Sequence, residues 1–181
     1  MTASHSPKPT VTIRRAQGTA DVAQCLKLRA IVFGDEQGIP LAYRHDDIDQ
    51  TCHHLLAYAT LPADSTTDIA PESKPALAPK DVPAGTLRFH ELQPGLGNIA
   101  WVTVLPQFRS LGIGRLLMQA AHQVIANELM WSKVLLYAQC DKTGFYTRLG
   151  YTIPAENTVY LKEGNPHINM ELTLADARIS G

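Results

Sequence analysis

Cysteine is scarce in this sequence. Cys25, Cys52 and Cys140 form no CxxC pair and, being three, cannot all be joined in disulfides. That argues against a disulfide-stapled fold and a structural zinc site, and it favours a reducing compartment. Long apolar stretches are missing as well: 45% of the residues are hydrophobic, yet no run approaches the ~20 needed for a membrane-spanning helix. A transmembrane protein is excluded on this reading and a soluble one expected. Nor does charge of one sign dominate, since 16 Lys plus Arg stand against 17 Asp plus Glu for a formal net charge of -1. No global field draws the chain to nucleic acid or anionic lipid, so any anion site has to be local. The opening MTASHSPKPT lacks the basic start and apolar stretch of a secretory signal, and a cytoplasmic location is expected.

Regular patterning is what the sequence does have. Its 181 residues suit one domain that buries roughly two-thirds of its unfolded surface. Val11-Thr12-Ile13-Arg14 alternates as a half-buried strand does. Val22, Cys25, Leu26, the stem of Arg29, Val32 and Phe33 then recur at helical steps, predicting a helix that Gly34 and Gly38-Ile39-Pro40 bring to an end. An acidic stretch with Asp46, Asp47 and Asp49 leads into His53–Ala59, which reads as a strand. Residues 62–83 hold five prolines and no large aromatic. They predict a mobile insertion between adjacent strands rather than a domain boundary, because Thr86–His90 resumes strand character at once. Ile99–Leu105 is a strand that Pro106 stops. From Gly112 onward Ile113, Leu116, Leu117, Ala120, Ala121, Val124, Ile125 and Leu129 form one stripe, the clearest helix in the chain. Lys133–Ala138 follows as a strand, Asp141 can cap a short helix through Leu149, and Gly150 can end it in a left-handed conformation. Strands near Thr158–Leu161 and Ile168–Leu174 complete the set. The order predicts an α/β (α+β) fold: a mixed sheet with helices on both faces, in one domain over 11–174 between tails 1–10 and 175–181.

Chemistry concentrates in Val102–Leu117. A strand ends, a turn carries Arg109, Gly112 and Gly114 open the long helix, and Arg115 stands in its first turn. Glycines there let backbone N–H groups approach an anion, the helix dipole favours negative charge, and two guanidiniums can bind it. This is neither a Walker loop, since GxxxxGK[ST] is absent, nor a dinucleotide fingerprint, since one G-x-G is present. Arg109-x-x-Gly112-x-Gly114 after a V-x-V-x-P strand end resembles the acyl-CoA-binding motif of the GNAT superfamily of N-acyltransferases. Ala138-Gln139 and Phe145-Tyr146-x-x-Leu149-Gly150-Tyr151 resemble that superfamily's second cofactor-side motif. Four further pieces resemble a branch of small, mostly bacterial-type members: Arg29-x-x-Val32-Phe33, Glu36-Gln37-Gly38-Ile39-Pro40, Asp46-Asp47 before His54, and Glu163-Gly164-x-Pro166-His167-x-x-Met170.

The resemblance implies a mostly antiparallel central sheet of about six or seven strands, splayed between the fourth (Ile99–Val104) and the fifth (Lys133–Ala138). Acetyl-CoA is the implied cofactor. Its pantetheine arm would pair with Val102, Thr103 and Val104, and its pyrophosphate would rest on the N–H groups of Ser110, Leu111, Gly112, Ile113, Gly114 and Arg115, with Arg109, Gln139 and Tyr146 close by. The expected acceptor is a small-molecule amine, such as an amino sugar or polyamine, and the chain could assemble as a homodimer.

Acetyl transfer to an amine needs the ammonium deprotonated, the thioester carbonyl polarised and the departing thiolate protonated. Tyr146 stands where the superfamily often has its acid; packing of the short helix is its plainer role. The base is less specified, because Ala100-Trp101 occupies the strand position where members often carry Glu. Candidates are His54, Asp46, Glu36 and His167, then His90 and Glu91 on the neighbouring strand, or a bound water. An acyl-cysteine on Cys140 is disfavoured for want of a nearby His partner. His53 and His54 point to opposite faces of a strand and cannot readily share a metal ion with Asp49. The Asp46-Asp47-x-Asp49 cluster reads as a solvated loop or as an acidic rim drawing in a cationic amine. Two other functions fit the same motifs: a protein lysine or N-terminal acetyltransferase, and a non-catalytic acyl-CoA-binding sensor.

Overall fold

The alternation of Val11 and Ile13 seats the first strand, β1 (Thr10–Arg15), at one edge of a seven-stranded sheet of order β1-β2-β3-β4-β5-β7-β6. The remaining strands are β2 (His53–Leu61), β3 (Lys80–Gln93), β4 (Leu96–Val104), β5 (Lys133–Gln139), β6 (Tyr160–Lys162) and β7 (Asn165–Thr173). This computed structural model describes residues 9–40, 47–61, 80–162 and 164–174. All neighbouring strands run antiparallel except β4 and β5, which are parallel.

Two helices cover opposite faces. On β3, a Cβ at Gly85 would approach Ile113 and Leu117 of α2 (Ile113–Asn127), whereas the next residue, Thr86, lies beside Cys25 of α1 (Gly18–Arg29). Successive strand residues point to opposite faces, so α1 and α2 sandwich the sheet. The stripe of α2 is buried as its spacing predicts, with Ile113, Leu117, Ala121 and Ile125 at 0–1% exposure against Leu87 and Phe89 of β3.

Several expectations need correction. The first helix does not stop at Gly34: it widens into a π-helical turn over Ala30–Glu36, and Gly38 and Ile39 close it by donating to the carbonyls of Gly34 and Phe33. The expected 62–83 insertion lies for residues 62–79 outside the described residues, but 80–83 open β3 and pair with β2. Pro83 is accommodated because the β2–β3 register slips between Ala57 and Tyr58, a bulge where a ladder N–H is dispensable. Asp81 there accepts from Thr60 and Arg14 at 2.6 and 2.7 Å. Asp141 caps nothing. It pairs with Lys142 in a 3-10 turn (Cys140–Lys142), and the short α3 (Thr143–Thr147) has no side-chain cap.

Candidate active site

Strands β4 and β5 pair only through Leu96–Asn98 and Lys133–Leu135. At the point of divergence the Asn98 side chain donates to the Leu135 carbonyl at 3.1 Å, a side-chain bond at the last paired position. Beyond it the strands separate around a cavity of about 750 Å³. Ala100, Trp101, Val102 and Val104 line it from β4, Tyr137 and Gln139 from β5, and Phe145 and Tyr146 from α3. Opposite β3 the register of β4 also slips between Ala100 and Thr103, and Trp101 takes φ +56°. Such a bulge re-aims backbone groups next to a site at a strain of roughly 1–2 kcal/mol for a non-glycine residue. Trp101 meets Phe33 of the π turn edge-on, with ring centroids 4.9 Å apart.

One end of the cleft leads to the start of α2. Ser110 and Gly112 are both left-handed, at φ +72° and +76°, so the loop folds back and presents the first N–H groups of α2, which have no helical acceptors. Gly112 is needed for its conformation, since a Cβ there would meet nothing; at Gly114 the constraint is space, as a Cβ would lie 3.3 Å from Phe145 Cζ. Arg115 is exposed. Arg109 does not stand open: Nη1 and Nη2 donate to the two carboxylate oxygens of Glu36 at 2.8 and 2.7 Å, and Nε to the Val104 carbonyl at 3.2 Å. The Arg109 hydrogen bonds hold the Glu36 carboxyl below its ordinary range. The next residue, Gln37, accepts from Gln139 Nε2 at 2.9 Å. The end of the π turn therefore ties both lips of the cleft.

Of the acid and base candidates, Tyr146, Glu36 and His167 line the cavity together with His90. Tyr146 is half-buried, and loss of water around its phenol pushes its pKa up to about 12. His167 is 7% exposed and its Nδ1 lies 2.8 Å from the Asn165 carbonyl. Asp46 lies outside the described residues. His54 is elsewhere: it does not line the cavity but sits in a buried cluster below it, Nε2 2.8 Å from the Asp49 carbonyl and Nδ1 3.1 Å from Arg29 Nη2. Burial lowers its pKa. In the same cluster Arg29 and Arg88 both donate to Asp49 Oδ1, at 2.6 and 2.7 Å. Burial acts to raise the Asp49 pKa, but the two guanidiniums outweigh it and the net shift is downward. Asp49 is thus an internal counter-ion at 4% exposure, not part of an acidic rim. Among the described residues no three His, Cys, Asp or Glu side chains are placed to hold a metal ion.

A strand pair that opens beside a helix N-terminus is a fold-level signature. A family model described as an acetyltransferase (GNAT) domain matches residues 50–174. The chain belongs to the GNAT acetyltransferase family. Among its GNAT relatives a Bacillus subtilis (strain 168) protein named as an acetyltransferase is 24% identical over 163 residues, covering 88% of this chain and 95% of that one. A Lactobacillus plantarum structure named as an N-acetyltransferase superposes with TM-score 0.71 at 23% identity, over 91% of this chain and 98% of its own. An acyl-CoA N-acyltransferase structure from Pseudomonas aeruginosa gives 0.67 at 25% identity, over 90% and 98%. The enzyme class is that of an N-acetyltransferase, and the mixed sheet splayed between β4 and β5 is the GNAT fold.

Within this GNAT site, sequence reasoning did not anticipate Arg88, Gln37, Phe33 or Lys162 as cavity-lining residues. A signal existed for one of them. Arg88 keeps the strand phase of Thr86, which faces α1, and an Arg in a buried phase calls for an acidic partner such as Asp49. The tie between Gln37 and Gln139 spans 102 residues and left no such trace.

Proposed function

We propose that this enzyme transfers the acetyl group of acetyl-CoA directly to a small primary amine in the cytoplasm. The observation that carries the reading is the parting of β4 from β5 after Asn98: it leaves the β4 backbone without a strand partner on the β5 side, along a path from the α2 N-terminus to the cavity. The residues fit the cofactor. N–H groups of Ser110–Arg115 would take its phosphates, Val102–Val104 its pantetheine amides, and the gap left by the missing side chain of Gly114 keeps Phe145 close to that path. Bound acetyl-CoA supplies an activated acetyl thioester. The bulged β4 backbone near Trp101–Thr103 supplies N–H groups for the carbonyl oxygen, and Tyr146 donates its proton toward the departing sulfur. The cavity is large enough to enclose a small acceptor beyond the pantetheine end, which favours a metabolite-sized amine over a protein segment. Free Cys25, Cys52 and Cys140 suit a reducing compartment.

The test is thiol release from acetyl-CoA across glucosamine, ethanolamine, spermidine and lysine-containing peptides, beside calorimetry with CoA. Release that depends on a small amine is expected. Faster release with peptides would assign a protein acceptor, and tight CoA binding with no release across the panel would assign a sensor.

A further inference from the structure

We infer that His167 is the catalytic base that deprotonates the acceptor amine, with its tautomer set by the Asn165 carbonyl; this rests on the acetyl-transfer reading above. His54 has both ring nitrogens engaged in the buried cluster and does not line the cavity. Glu36 faces the cavity but is locked by two hydrogen bonds from Arg109, which make it a weaker base. Tyr146, with its pKa near 12, holds its proton and suits the opposite task.

His167 has the geometry of a base. Its Nδ1 lies 2.8 Å from the Asn165 carbonyl oxygen. A carbonyl oxygen has no proton to give, so Nδ1 must carry the hydrogen, and in the neutral ring the lone pair is on Nε2. Nε2 makes no hydrogen bond among the described residues. The ring is further held by stacking on Tyr160, with centroids 6.2 Å apart and planes 26° apart, and the Tyr160 hydroxyl is itself anchored on Asn169 Oδ1 at 3.0 Å. His167 pairs in the sheet with Gln139, the last residue of β5, and so stands at the mouth of the splay.

The proton inventory closes. Nε2 takes one proton from the acceptor ammonium, and the free amine forms a C–N bond to the acetyl carbonyl carbon. As the C–S bond breaks, Tyr146 gives its proton to the sulfur. The second proton on nitrogen returns to Tyr146, and the proton on His167 leaves to solvent. Amide, thiol and one released proton are the products, with no oxidant or metal required.

Among the other ionisable side chains lining the cavity, Arg88, Lys142 and Lys162 have no acceptor site for a proton while charged, Glu36 is held ionised by Arg109, and His90 is the remaining imidazole. The discriminating variant is His167→Asn, whose amide nitrogen can still donate to the Asn165 carbonyl but which has nothing at Nε2. With acetyl-CoA and the best amine of the panel, kcat/KM should fall on the order of 10² or more. The acid-side limb of its pH profile should vanish, while CoA affinity and melting temperature hold. His90→Asn should keep that limb. Nitrogen NMR of the wild-type imidazole, which needs no acceptor, should show the Nδ1–H tautomer. An Nε2–H tautomer, or a His167→Asn enzyme retaining the acid-side limb, overturns the base and leaves acetyl transfer standing. A wild-type protein that releases no thiol with any amine overturns both.

Discussion

Replacing Tyr146 by Phe isolates one proton. The ring packs against Phe145 and Tyr151 with centroids 5.0 and 6.0 Å away, and these contacts survive the change. No hydrogen bond from the Tyr146 hydroxyl is made among the described residues, so stability should move by less than about 1 kcal/mol. The size of the catalytic loss follows from the competition for the proton. A phenol near 12 facing a thiol of ordinary pKa ~8.5 would be a poor donor, uphill by about 5 kcal/mol. The burial that raises the phenol also raises any thiolate formed beside it, however, which returns the contest toward the ordinary gap of roughly 1.5 units, or about 2 kcal/mol. Tyr146 therefore acts through a charge-assisted hydrogen bond that tightens as sulfur departs and along which its proton passes, worth ~1.5–3 kcal/mol. Turnover of Tyr146→Phe should fall on the order of 10², the low end of general acid catalysis, with CoA affinity unchanged by calorimetry. Thiol release under conditions where chemistry is rate-limiting is the assay. An acyl donor with a more acidic thiol should narrow the deficit, because a better leaving group needs less help. Near-normal turnover of the variant on acetyl-CoA would refute the role, as would an equal loss for good and poor leaving groups.

Two further perturbations probe the scaffold. Gly114→Asp puts a Cβ 3.3 Å from Phe145 Cζ and a carboxylate at the α2 N-terminus; CoA affinity should drop at least 100-fold, since like charge displaces the phosphate, and unchanged calorimetric affinity would remove the cradle from the mechanism. His122, bonded to the Tyr151 hydroxyl at 2.8 Å, has its pKa lowered by burial to about 4. A depressed histidine stabilises the fold above its unfolded value of ~6.5 and loses that contribution as pH falls, costing on the order of 2 kcal/mol by pH 5. Urea melts at pH 7.5 and 5 should show that loss shrinking in His122→Phe, while the lowered His53 and His54 retain a remainder of the same sign.

Local signals carried the sequence far where chemistry and periodicity agree. The α2 stripe from Ile113 to Ile125 is one such place, and Gly150, left-handed at φ +91°, is another. The splay between β4 and β5 was legible only through family resemblance, because no local property of Asn98 says that its ladder ends there. Lys80–Pro83 looked like loop since Lys, Asp and Pro disfavour strands; pairing with Tyr58–Leu61 and the Asp81 bonds override that preference. Asp49 and His54 looked solvent-facing or catalytic because their partners, Arg29 and Arg88, are 20 to 39 residues distant in the chain. Gly34 reads as a terminator in any propensity argument, and a wide turn that carries the chain past it depends on what Glu36 and Gln37 reach.

That wide turn sets a phase. Successive residues of an α-helix are rotated by about 100°, so the angular position of Glu36 and Gln37 depends on how many residues Ala30–Glu36 spends on its turns. With the π winding, two adjacent side chains emerge on the bearing that lets one reach Arg109 and the other Gln139. Removing a single residue anywhere in the turn would restore ordinary winding and swing both off that bearing, although every cavity-lining side chain outside the turn stayed in place. The length of this segment, rather than its composition, is what the geometry constrains: Ile31 is 41% exposed, so a substitution there should leave the bearing of Glu36 and Gln37 intact where a deletion should not.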